Sequence, residues 1–184
     1  MVSPPFDEAA LAAARDAAKA HLRISGADED ALLARHAAAG LALCEAFTGC
    51  ALLVRQWTDT VPADRRWQRL AGAPVAVIDD VEALPVEGTP LALPVEAHAI
   101  DIDANGEGWV RVTRPGGAGR VRVTYRAGLA ESWAALPAPI AQGVVLLTTH
   151  LFEARVEGRA PPAAVAALWR PWRRMRLAGE RRVA

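Results

Sequence analysis

Cysteine is scarce in this chain. Cys44 and Cys50 are the only two in 184 residues, too few for a disulfide framework. They form no Cys-x-x-Cys pair, and His21, His36, His98 and His150 are scattered without a His-x-x-x-His spacing, so the ligand clusters of common metal sites are missing. Aromatic residues make up only 5%, and much of the 52% hydrophobic content is alanine, which buries little area. The expected core is modest, and assembly would supply part of the stability. Net charge is absent as well: 21 basic residues balance 21 acidic ones, which argues against wholesale electrostatic capture of nucleic acid or membrane. No apolar run reaches the roughly 18 to 20 residues of a membrane span. The opening Met1-Val-Ser-Pro-Pro-Phe-Asp-Glu has neither the basic nor the apolar region of a secretory leader. The expectation is a cytoplasmic protein with reduced thiols and no membrane partner.

The chemistry of catalysis is equally thin. Ser3, Ser25 and Ser132 lie in no nucleophile elbow, and Cys44 shares helical spacing with Leu41 and Phe47, which makes it a core residue. Asp101-Ile-Asp103-Ala-Asn105-Gly106 begins like a calcium loop, but Val112 stands where the closing glutamate belongs and the flanks have strand composition. It reads as a hairpin with a type I′ turn at Asn105-Gly106. Pro115-Gly-Gly-Ala-Gly119 runs on into strand-like Arg120-Val-Arg-Val-Thr124, so it is a turn and not a phosphate loop. His150 and Glu153, one helical turn apart, read as a structural contact. No enzyme, metal or cofactor is expected.

What the chain does have is a change of period along its length. Asp7 to Arg23 reads as a helix capped by Asp7 and ended by Ser25-Gly26, with Leu11, Ala14, Ala18 and Leu22 on one side. Asp28-Glu29-Asp30 opens a second helix, closed by Gly49, whose stripe is Leu33, Ala37, Leu41, Cys44 and Phe47. Period-two stretches follow at Leu52–Val61, Trp67–Leu70, Val75–Val81, His98–Ile102, Trp109–Thr113 and Val121–Tyr125, separated by Pro and Gly turns. The longest apolar segment, Pro137 to Gly158, reads as a proline-led helix with Ile140, Val144, Leu147, Leu151 and Ala154 on one stripe. Val145, Leu146 and Phe152 widen that stripe, so the helix must be covered on more than one side, by the N-terminal hairpin and by a neighbouring subunit. Pro161-Pro162 opens a short last helix, Ala163 to Arg170, which Pro171 stops. From Arg159 onward there are seven arginines and a single acid, Glu180.

The fold class is therefore α+β: an N-terminal antiparallel helix hairpin (1–49), an inserted small antiparallel β-sheet or partial barrel (50–126), a long buried helix with a short C-terminal helix (137–170), and a basic tail (171–184), all in one domain. This order resembles the head-tail connector, or adaptor, family of tailed bacteriophages, prophages and phage-like gene transfer agents. The likeness rests on Ala18-Lys-Ala-His-Leu-Arg-Ile24 with Asp28-Glu-Asp30, on Cys44-Glu-Ala-Phe-Thr-Gly49 leading into Leu52-Leu-Val-Arg-Gln-Trp-Thr58, and on Gly72-Ala-Pro-Val-Ala-Val-Ile-Asp-Asp-Val81. It continues through Val123-Thr-Tyr-Arg-Ala-Gly128, Leu136-Pro-Ala-Pro-Ile-Ala-Gln142 and His150-Leu-Phe-Glu-Ala-Arg155. The chain departs from the pattern between Pro85 and Trp109, where the insert is irregular.

The resemblance implies a non-catalytic ring, twelvefold, at the virion neck. Its partners would be the portal protein, the next tail-side connector or stopper protein, and DNA passing through the channel without sequence specificity. It also implies a C-terminal arm that docks on the portal. Trp169, Trp172, Met175 and Leu177 would be its apolar anchors, and Arg173, Arg174 and Arg176, with Arg181 and Arg182, its basic contacts. Residues Trp172 to Ala184 would be mobile until assembly. The competing reading is a small cytoplasmic binding module or enzyme with an unrecognised site. Light scattering with and without a portal protein separates the two.

Overall fold

In the computed structural model, which describes residues 3–153 and 160–174, the first helix starts where an acceptor stands ahead of an alanine-rich run. This helix, α1 (Glu8–Leu22), is capped by Asp7, whose Oδ1 accepts from the Ala10 N–H at 2.6 Å. It stops before Ser25-Gly26, because Arg23 itself takes the left-handed position (φ 58°) and the N–H groups of Arg23 and Ile24 close onto the Ala20 and Lys19 carbonyls. Helix α2 (Asp30–Thr48) ends as its sequence predicts, with Gly49 at φ 70° donating to the Glu45 carbonyl at 2.8 Å. Helix α3 covers Ala138–Glu153 in the described residues; Ala154 and the expected stop at Gly158 lie outside them. Helix α4 (Ala163–Trp169) tightens into a 3-10 turn at Arg170–Trp172, where Pro171 has no N–H to continue the α-helical ladder.

These helices belong to one of two units into which the chain divides, made of Pro5–Leu53 with residues 129–153 and 160–174. Helix α3 packs against α1, α2 and α4. Its stripe is buried as read at Ile140, Val144 and Leu147, with Leu151 partly buried. Val145 is buried within the chain too, so the second face of α3 is less open than the sequence implied. The facing helix contributes Ala37, Leu41 and Cys44, and α1 contributes Ala10 and Ala14. With such small residues the helices approach closely. A Cβ on Gly40 of α2 would lie 3.0 Å from Thr148 Oγ1 of α3, and one on Gly143 would lie 2.1 Å from Trp169 Nε1 of α4. Glycine at these two positions creates the space into which the partner side chains fit.

The second unit, Val54–Gly128 with residues 3 and 4 of the described chain, holds the strands found among the described residues. They are β1 (Arg55–Pro62), β2 (Gln68–Arg69), β3 (Val75–Leu84), β4 (Leu91–Ala92), β5 (His98–Ile102), β6 (Gly108–Val112) and β7 (Arg120–Ala127). Two antiparallel sheets result, in the orders β1-β7-β3-β4 and β2-β6-β5. Strand β7 is central to the first. It pairs along its length with β1, from Arg55 opposite Ala127 to Pro62 opposite Arg120, and with β3 on its other side through two register shifts. Its alternation points Val121, Val123, Tyr125 and Ala127 inward.

Two expectations are corrected here, at the first strand and at the β5–β6 turn, and one open stretch is filled in. The first strand begins at Arg55 and not at Leu52, because the Leu52 N–H donates to Glu45 Oε1 at 2.8 Å and Leu53 bridges to Ala130, which ties both leucines to the helical unit. The irregular stretch after Pro85 contains strand β4 and a 3-10 turn at Val95–Ala97. The β5–β6 hairpin exists, but its turn is not type I′, since Gly106 has φ 72° while Asn105 has no positive φ. The Gly106 N–H reaches the Asp103 carbonyl at 2.8 Å, and Asp103 Oδ1 accepts from the Asn105 and Glu107 N–H groups at 2.8 and 2.9 Å. A side-chain acceptor at the first loop position thus favours a longer loop with a single left-handed residue.

Candidate functional site

The described residues include the start of the expected docking arm. Trp169, read as a docking anchor, is 3% exposed: its ring covers Gly143, its Nε1–H donates to the Ile140 carbonyl at 3.3 Å, and Phe47 lies 6.0 Å away centroid to centroid. It is part of the helical core. Trp172 is partly buried against that core, and its carbonyl accepts from Cys50 Sγ at 3.5 Å. The Arg174 N–H donates to the Thr48 carbonyl at 2.7 Å, and the Arg173 guanidinium stands 5.8 Å from the Phe47 ring centroid. The start of the expected mobile arm is therefore fastened to the end of α2. Met175, Arg176, Leu177, Arg181 and Arg182 lie outside the described residues.

The nucleophile and metal candidates do not assemble. Cys44 is fully buried, and desolvation, with the neighbouring Glu45 carboxylate adding to it, pushes its thiol pKa well up; such a thiol is a poor nucleophile. Asp103, the best calcium candidate, holds its own turn and also accepts from Trp109 Nε1 at 3.3 Å. Among the described residues no group of three or more His, Cys, Asp or Glu side chains comes together. No helix there is long and apolar enough to cross a membrane.

Two features escaped the sequence. One is a buried polar latch inside the β unit. Tyr125 Oη donates to Asp59 Oδ2 at 2.9 Å and accepts from the Gly72 N–H at 2.8 Å, while the same carboxylate oxygen accepts from the Ala71 N–H at 2.7 Å. Asp59 is 6% exposed, and Trp57 stacks over Tyr125 with its ring pressed against Gly72, where a Cβ would come within 2.7 Å. Burial raises the Tyr125 pKa, the Gly72 N–H opposes that shift, and the Asp59 carboxylate adds to it. The latch is closed on itself and has no open side for a substrate. The other feature is a groove of about 470 Å³ on the helical unit, lined by Leu43, Phe47, Leu147, Pro162, Val165 and Trp169 among others. Its walls are apolar, and it contains no group able to transfer a proton or attack a carbonyl.

Among the described residues, then, the candidate catalytic and metal-binding groups do not come together in one site. No protein-family model matches the chain, and no curated protein does. Among solved structures, it is similar to a chain in the neck of an empty gene transfer agent (GTA) particle computed with C6 symmetry. That match has 28% identity, covers 98% of this chain and 100% of the other, and has a TM-score of 0.79. A chain in the neck of the native GTA particle, computed with C12 symmetry, matches at 27% identity, 98% and 100% coverage and TM-score 0.75. A chain in the virion of the native gene transfer agent particle matches at 29% identity, 98% and 97% coverage and TM-score 0.72. The α+β architecture is that of a neck protein of a phage-like particle, present from end to end.

Proposed function

We propose that this chain is a structural ring subunit in the neck of a phage-like particle. In this reading it joins the portal vertex to the next tail-side connector or stopper protein, lines the channel through which DNA passes, and catalyses nothing. The observation that carries it is the end-to-end match to neck chains, with 98% of this chain aligned to 100% of its counterpart. A ring is supported by the C6 and C12 symmetries of the necks that hold the similar chains; a twelvefold ring satisfies both, since C12 contains C6. Assembly would take place in the bacterial cytoplasm, and the docking arm would be the chain beyond Arg174.

Removing the gene from a producing cell and imaging the particles tests the reading. Heads that carry a portal but no tail are expected, with tails restored by the intact gene. Normally tailed particles from the deletion strain would overturn it.

A further inference from the structure

We propose that Arg65, Arg111 and Arg114 form a phosphate site on the β unit that takes the backbone of duplex DNA without reading its sequence. They line a pocket of about 390 Å³ together with Glu96 and Thr113. Three guanidiniums face one carboxylate, and among the described residues none of the three is in an ion pair. Arg111 is the fixed member. Its guanidinium lies 4.8 Å from the Trp67 ring centroid, and its Nε is buried without a hydrogen-bond partner. A buried donor left unmade costs free energy that a bound anion would recover.

The frame around the arginines is tied down. The Val112 N–H donates to the Asp64 carbonyl at 2.9 Å, the Thr113 and Arg114 N–H groups donate to the Ala97 carbonyl at 2.8 and 3.1 Å, and Thr113 Oγ1 donates to the Glu96 carbonyl at 3.3 Å. The stretch that carries Arg111 and Arg114 is thus held between the segment of Arg65 and that of Glu96, with the three basic side chains around one opening. Planar guanidinium forks suit phosphate oxygens, and a site with more than one fork suits a phosphate better than a single carboxylate. Arginine can also read guanine in the major groove, so equal binding of two unrelated duplexes is what marks contact with the backbone alone. That the phosphate belongs to DNA rests on the neck reading; the anion site rests on the geometry.

The test is fluorescence anisotropy of the full chain with labelled duplexes of two unrelated sequences over a range of salt, with inorganic phosphate and polyglutamate as competitors. The wild type should bind both duplexes alike, with affinity falling steeply as salt rises. Arg111→Gln and Arg114→Gln should each flatten the log–log salt slope by about 0.9, the value for one lost phosphate contact. Arg65→Gln and Arg114→Gln, at exposed positions, keep the test valid if Arg111→Gln unfolds the sheet. Arg35→Gln, exposed on α2 in the helical unit, should change nothing.

Undiminished DNA binding by a variant that combines Arg65→Gln, Arg111→Gln and Arg114→Gln, or no binding by the wild type at low salt, would overturn the site. Displacement by polyglutamate but not by phosphate would overturn phosphate as its occupant. If DNA binding maps to these arginines but deletion strains are normally tailed, the neck reading falls and the site stands; the reverse pattern drops the site alone.

Discussion

The two units are held together by opposite means. In the helical unit the contacts are a matter of shape: Gly40 admits Thr148, Gly143 admits the indole of Trp169, and the rest of the core is Ala, Val, Leu, Ile140 and Cys44. In the β unit the centre is polar, and Tyr125, Asp59 and the Gly72 N–H satisfy one another where water cannot reach. The first should therefore fail when volume or charge is added, and the second when one polar partner is removed.

The largest effect tests the first half of that contrast. Leu147 is 3% exposed, with its side chain in the α3 core. Leu147→Asp buries a carboxylate without a partner at a cost of several kcal/mol, against a total stability of roughly 5 to 15, and should abolish folding. A soluble variant with a cooperative melt would show that α3 is not the centre of its unit. Next comes Gly143→Ala, whose methyl would meet a tryptophan already held by a hydrogen bond. We expect a loss of about 3 kcal/mol by denaturant titration, the upper end of the overpacking range. If the clash is the cause, adding Gly143→Ala to Trp169→Ala should cost almost nothing further.

The β unit should respond to a smaller change. Tyr125→Phe keeps the ring but leaves the Gly72 N–H and Asp59 each short of a partner, for an expected loss of about 1 to 3 kcal/mol. High pH separates the units further. Burial holds the protons of Cys44 and Tyr125 in the folded chain, whereas the unfolded chain releases them near pH 8.5 and pH 10, about the ordinary values. Both raised values therefore give stability that is complete below the unfolded pKa and is lost as pH rises above it. The alkaline limb of stability should show two onsets. Cys44→Ala should remove the lower and Tyr125→Phe the upper, and a limb unchanged by both would show that neither group resists ionisation. Tyr125 is the chain's only tyrosine, so its ultraviolet titration reports the β unit alone.

The same contrast explains what could be read from the sequence. Helices announce themselves locally: Asp7 and Gly49 act where the chain puts them, and the α3 stripe follows from spacing within sixteen residues. Strand composition was also legible, but not where strands end, since Leu52 and Leu53 look like strand and are claimed by Glu45 and Ala130. The latch joins Asp59 to Tyr125 across 66 positions, and neither residue carries a local mark of the other. The resemblance makes Trp169 a docking anchor; the vacancy it fills is made by Gly143 in another helix. The arginines at the C-terminus are dense in the sequence, while Arg65 meets Arg111 and Arg114 only because two separate segments are pinned together.

The smallest expected effect on stability concerns where the fastened chain ends. A cut after Arg170 would remove Trp172, which packs on the helical core, and the Arg174 N–H that closes onto the Thr48 carbonyl beyond the last full turn of α2. That truncation should lower the melting temperature, so it cannot separate docking from folding. A cut after Arg174 keeps both contacts and removes Met175, Arg176, Leu177 and the arginines beyond. Its stability should stay within about 0.5 kcal/mol of the full chain, as for changes away from cores and caps. If the removed segment is the docking arm, the shortened chain should still melt cooperatively yet fail to join portal-bearing heads, because the anchors and arginines that would make the contact are gone. Normal docking by this variant would move the portal contact onto one of the two units. A large drop in its melting temperature would mean instead that the segment belongs to the subunit's own fold.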